Sequence, residues 1–113
     1  MNATTYTYNE AKAKQVENAV MQVFQCSISD LIGNSDTQYK KVVVFILNKL
    51  LGYDKRNIGV AYSITYLFVP TVVNEIENEF LLNFEMRKKI TEVTKIIGYE
   101  SRCLEERRIE FVA

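Results

Sequence analysis

Residues 37–51 read TQYKKVVVFILNKLL, and the reading of this stretch decides the fold. Val42 to Leu47 is an unbroken run of six strongly apolar residues. A β-branched run of that length suits a buried strand. Its frame suits a helix. Asp36 can accept hydrogen bonds from the free N–H groups of a first turn. Val43, Ile46, Leu47, Leu50 and Leu51 recur at the i, i+3, i+4, i+7, i+8 spacing of one helical face. Lys49 places a cation in the last turn, and Gly52 can adopt the left-handed conformation that ends a helix. The stretch is therefore predicted as a helix. Val42, Val44 and Phe45 widen its apolar stripe, so it should be buried on most sides, with the other helices packed around it.

On the N-terminal side, Met1 to Tyr8 reads as a loose end, and Asn9 can cap a helix running to about Gln25. Val16, Ala19, Val20, Val23 and Phe24 form its inner face, while Lys12, Glu17 and Gln22 face water. Cys26 reads as a small core residue. Ser27 to Ile32 reads as a short helical turn with Ile28, Leu31 and Ile32 inward, and Gly33-Asn34-Ser35-Asp36 has turn chemistry. On the C-terminal side, Asp54 can cap a brief helix, Lys55 to Tyr62, with Ile58, Ala61 and Tyr62 inward. Gly59 inside it signals close packing against a neighbour.

Residues 60–69 allow two readings. Val60, Tyr62, Ile64, Tyr66 and Phe68 alternate as in a half-buried strand. The same residues also fit a turn and an extended approach to a helix. Pro70 suits a first helical position, which starts a helix at Pro70 and runs it to about Leu81. Val72, Val73, Ile76 and Phe80 face inward there, and Asn74, Glu75, Glu77 and Asn78 outward. Asn83 can cap a helix from Phe84 to Ile97, with Met86, Ile90, Val93 and Ile97 buried and Gly98 ending it. Glu100 to Arg108 reads as a last short helix with Cys103 and Leu104 inward.

A chain of 113 residues with 48% hydrophobic content supports one domain with one core. The single proline and four glycines are too few for a many-turned β-sandwich. The longest apolar run is far short of a membrane span. No stretch reads as a secretory leader, and the two cysteines lack motif spacing. They are expected as reduced thiols of a cytoplasmic protein. Histidine is absent altogether, which removes the commonest general base and the commonest metal ligand. No catalytic constellation, metal site or cofactor motif is found, and the chain is not expected to be an enzyme. Fourteen basic residues balance fourteen acidic ones. Contact with nucleic acid must then rest on local charge. Lys40, Lys41, Lys49, Lys55 and Arg56 cluster between positions 40 and 56 against Asp54 alone.

The order of long helix, short helix, turn, buried helix, short helix, turn and helix resembles the C-terminal DNA-binding domain of the bacterial replication initiator DnaA. The family's V-S-D-L-L turn is matched by Ile28-Ser29-Asp30-Leu31-Ile32. Its R-Q-I-A-M-Y-L-A-R-E-L helix is matched without gaps by Lys41 to Leu51, with Lys41 and Lys49 at the arginine positions. Its E-I-G is matched by Asn57-Ile58-Gly59, and its D-H-[ST]-T-V in part by Phe68-Val69-Pro70-Thr71-Val72. The resemblance covers about Val16 to Phe80. It implies an all-α bundle with a Trp-repressor-like helix-turn-helix, with a core over about 16–80 and further helices over 84–108 of a single domain, 1–113.

A DNA surface of Lys40, Lys41, Lys55, Arg56, Thr71 and Asn74 is expected, with the resemblance implying backbone contacts at Lys55 and Arg56 and a base or phosphate contact at Thr71. Departures weaken it. Phe68 and Val69 stand where the family has its DNA-contacting Asp-His pair, and apolar groups cannot read base edges by hydrogen bonding, thymine methyl contacts aside. The loop before the central helix carries no arginine, and Glu75 and Glu77 sit on the expected recognition helix. The leading expectation is a small DNA-binding or regulatory protein with a degenerate reading surface, its partner duplex DNA. The alternative is an interaction module, a homodimer or a binder of another protein, using Tyr66, Leu67, Phe68 and Val69.

Overall fold

A computed structural model of the protein describes residues 8–32 and 37–98. These residues contain helices and turns and no extended strand. The expected helix Glu100–Arg108, the turn at Gly33–Asp36 and the end before Tyr8 lie outside them.

Helix α1 spans Glu10–Phe24, and the Asn9 side chain accepts from the Lys12 N–H, as its cap position predicts. It ends at Gln25, which takes the left-handed conformation at φ 56°. A three-residue 3-10 turn, Ile28–Asp30, follows, opened by Ser27 and Asp30 bonding each other reciprocally. Leu31 is fully buried there, but Ile28 and Ile32 are exposed, contrary to the inward placement expected for both. A single short turn has room to aim only one of three apolar residues at the core.

The stretch 37–51 is helical. Helix α2 spans Gln38–Phe45 and continues as a π-helical turn over Ile46–Leu50. Thr37, not Asp36, supplies the cap: its hydroxyl oxygen accepts from the Lys40 N–H and its hydroxyl donates to the Asp30 carbonyl. The widened turn shows in the Leu51 N–H reaching back to the Ile46 carbonyl at 2.9 Å. Gly52 then closes the helix at φ 77°. All six residues from Val42 to Leu47 are 0% exposed.

Helix α3 spans Lys55–Tyr62 and ends at Ser63, left-handed at φ 58°. A 3-10 turn, Tyr66–Phe68, leads into helix α4, Val69–Leu82, with Pro70 in its first turn. Helical and turn geometry thus replaces the strand reading of 60–69. Helix α5 spans Phe84–Ile96, and the Asn83 side chain accepts from the Met86 N–H. Helices α1 and α4 both pack on α2, and α5 packs on α1 and α4. The core joins Val16, Val20, Phe45, Ile58, Phe80 and Ile90, with Phe45 and Phe80 rings stacked at 6.5 Å.

Gly59 is where the connector after α3 folds back onto that helix. Its carbonyl accepts from the Ile64 N–H at 2.9 Å. A Cβ at position 59 would lie 2.6 Å from the Ile64 carbonyl oxygen and 3.3 Å from the Tyr66 nitrogen. Both are backbone atoms that cannot swing aside. Gly59→Ala is therefore expected to destabilise the protein by about 2 kcal/mol in chemical denaturation. At an uncrowded helical site the same change would stabilise by about 1 kcal/mol. A gain in stability would refute the close approach.

Candidate nucleic-acid and protein interface

The five cations between positions 40 and 56 do not form one basic surface. Lys40 is only 4% exposed. Its position in the first turn of α2 points it into the packed side of the helix, so it is withdrawn as a phosphate contact. Lys41 is half-buried and ion-paired to Glu75 of α4 at 3.1 Å. Lys49 approaches Glu77 at 3.6 Å. The acidic face of α4 and the basic face of α2 thus neutralise one another across their packing.

Lys55 and Arg56 stand apart from this. Neither is ion-paired among the described residues. The Lys55 Nζ sits 5.8 Å from the Tyr66 ring centroid, and the Arg56 guanidinium 5.1 Å from it. A ring face attracts a cation without cancelling its charge. The fold brings this pair to Tyr66 because the connector is pressed onto α3 at Gly59. Thr71 and Asn74 are exposed on the first two turns of α4, close in the chain to Tyr66.

Of the four residues expected as an apolar partner surface, three are exposed: Tyr66 at 37%, Leu67 at 67% and Phe68 at 44%. Val69 is fully buried and leaves that surface. It begins the inward stripe Val69, Val72, Val73, Ile76 and Phe80, so helical spacing commits it to the core. Val60, at 85% exposed, lies one turn after Arg56 on α3.

A second polar cluster escaped the sequence reading. The Tyr62 hydroxyl donates to the Glu17 carboxylate at 2.5 Å, joining α3 to α1. Glu17 was expected to face water. The available signal was Tyr62 itself, because a tyrosine on an inward helical face needs a partner for its hydroxyl. This pair sits beside a cleft of about 280 Å³ that also meets Tyr8, Lys14, Ile28 and Ile32. Two of its polar groups, the Tyr62 hydroxyl and the Glu17 carboxylate, already bond each other. Lys12, also expected in water, donates through Nζ to the Ile97 carbonyl at the end of α5. Burial raises the Cys26 thiol pKa, which disfavours the reactive thiolate. Among the described residues no group of three or more acidic, cysteine or histidine side chains could hold a metal. No described helix is long and apolar enough to cross a membrane.

No family model matches the chain, and no curated protein or solved structure matches it.

Burial, reinforced by the Glu17 hydrogen bond and charge, pushes the Tyr62 hydroxyl well above its ordinary pKa. The folded protein therefore keeps this proton where the unfolded chain releases it, near pH 10. The associated stability is complete below about pH 10 and is lost above it, by up to about 1.4 kcal/mol per pH unit. Tyr62→Phe should lower the urea midpoint at pH 7 and flatten its fall between pH 9 and 11. An alkaline slope unchanged by the substitution would place the effect elsewhere.

Proposed function

We propose that the chain is a small DNA-binding or regulatory protein of helix-turn-helix type, with α3 and α4 as the two helices of the motif and a degenerate reading surface. The observation that carries this is the pairing of two uncancelled cations with an exposed helix start. Lys55 and Arg56 lie over Tyr66, next in the chain to the first turn of α4. That helix terminus carries partial positive charge and exposes Thr71 and Asn74. The motif resemblance to the DnaA C-terminal domain supports the same assignment of helices. Lys55 and Arg56 would hold phosphates, with Thr71 and Asn74 reaching the backbone or a base edge. Lys41 would contribute little while Glu75 holds it.

A second reading is favoured by a different observation. Leu67 and Phe68 are exposed at the same helix start, where the resemblance places polar DNA contacts. That favours a protein partner on the same surface.

Binding to duplex DNA at low salt, followed as salt rises, tests the first reading. Two phosphate contacts give a slope of log K against log salt of about −2. Lys55→Glu and Arg56→Glu should weaken binding to all sequences alike. Glu75→Gln, by releasing Lys41, should strengthen binding and steepen the slope by about 0.9. No binding at low salt would reject the DNA reading.

A further inference from the structure

The turn before α4 pushes three large apolar side chains into water. Tyr66, Leu67 and Phe68 are consecutive, and all three are exposed. Successive residues of a 3-10 turn point about 120° apart, so the three make a projecting knob and not a flat patch. A solvent-facing turn is ordinarily polar, and three adjacent exposed apolar residues signal a function. The knob is held from both ends. Before it, the Ile64 N–H donates to the Gly59 carbonyl at 2.9 Å. Across it, the Phe68 N–H donates to the Thr65 carbonyl at 2.8 Å. After it, Val69 is wholly buried. Apolar groups carried on a fixed backbone lose little freedom on binding.

Charge says what kind of partner the knob meets. Lys55 and Arg56 lie against the Tyr66 ring at its foot. Asp54, next to Lys55 in the chain, pairs with neither cation among the described residues, and Glu75 is held by Lys41. Two uncancelled cations beside an apolar knob suit a polyanion with an apolar interior. Duplex DNA is one: phosphates line the rims of each groove, and flat base faces are stacked between them. Leucine and phenylalanine cannot read base edges by hydrogen bonding. Both residue types do serve as wedges between base steps in proteins that unstack DNA.

We infer that Leu67 and Phe68 enter the base stack of the duplex whose phosphates Lys55 and Arg56 hold. The inference rests on the DNA reading of those two cations. It gives the surface a preference for steps that part easily: a pyrimidine–purine step, and above all a mismatched pair, where less stacking and pairing is given up. Sequence is then selected through deformability, without base-edge contacts.

The test uses two duplexes of one sequence, one fully paired and one with a single mismatched pair. Each carries 2-aminopurine beside a central thymine–adenine step and is titrated with the full chain at low salt. That base brightens when it is unstacked. Brightening is expected on binding, with the mismatched duplex held at least about tenfold more tightly. Leu67→Ala should abolish the brightening and the mismatch preference. It should leave the salt slope at about −2, because the phosphate contacts remain. Leu67 is 67% exposed, so thermal melting of this variant should be unchanged. Phe68→Ala should act in the same direction, and Lys55→Glu with Arg56→Glu should weaken both duplexes alike. Binding without brightening, or without mismatch preference, overturns the inference and leaves the DNA reading standing. So does brightening that survives Leu67→Ala and Phe68→Ala together. A single strand, which has no stack to part, bound more tightly than the mismatched duplex also overturns it. No binding to any of these DNAs at low salt removes the inference and the DNA reading together. Self-association abolished by Leu67→Asp would then make the knob a protein contact.

Discussion

A helical segment without solvent exposure must be covered from every side, and α2 with the π-helical turn that continues it contains one. Six consecutive residues of it are wholly buried. Its backbone polar groups bond within the helix, so the chain can enclose it without leaving N–H or C=O groups orphaned. Enclosure then fixes everything else. Helix α1 covers one side and α4 another, and α5 closes the gap between α1 and α4. Once Val69, Val72, Val73, Ile76 and Phe80 are turned toward α2, the outward face of α4 is determined as well. Which residues of α4 face solvent is thus set by the demands of the core.

The same packing redistributes charge. In the sequence, positions 40 to 56 look like a basic segment. In three dimensions Lys41 and Lys49 meet Glu75 and Glu77, and Lys40 is buried. Half-exposed pairs of this kind contribute modestly to stability. Their larger effect is to remove positive potential from the α2–α4 face. Lys55 and Arg56 keep theirs, because their neighbour is an aromatic ring and not a carboxylate. The position of that ring goes back to Gly59, which lets residues 64–66 lie against α3.

Most of the helical layout was legible in residue order. Asn9 and Asn83 cap the helices they were expected to cap, and Gly52 closes α2. The inner faces of α4 and α5 follow from spacing alone, because long amphipathic segments repeat their signal over several turns. Short segments do not. Ile28, Ile32 and Ala61 are exposed where spacing predicts them inward, since one or two turns of helix leave orientation to tertiary packing. Lys40 and Glu17 were misplaced for another reason. A charged residue type favours water on average, and only the partner across the fold, such as Tyr62 for Glu17, overrides that average. The candidate site was legible as residues and not as a surface. Lys55, Arg56, Thr71 and Asn74 are exposed or half-exposed, while Leu82 adds an exposed apolar residue because α4 runs on to it.

Gln25 and Ser63 end their helices in a backbone region that residues with a Cβ enter at a cost of about 1 kcal/mol. Glycine enters it freely, and in this chain Gly52 and Gly98 do so. The chain therefore operates below the stability its own backbone could reach, with two helix ends where improvement is locally accessible. A protein with such reserves can absorb destabilising substitutions on its surface elsewhere and recover the loss at these ends. The solvent-facing positions of α4 can thus change their chemistry without the buried helix beneath them having to change at all.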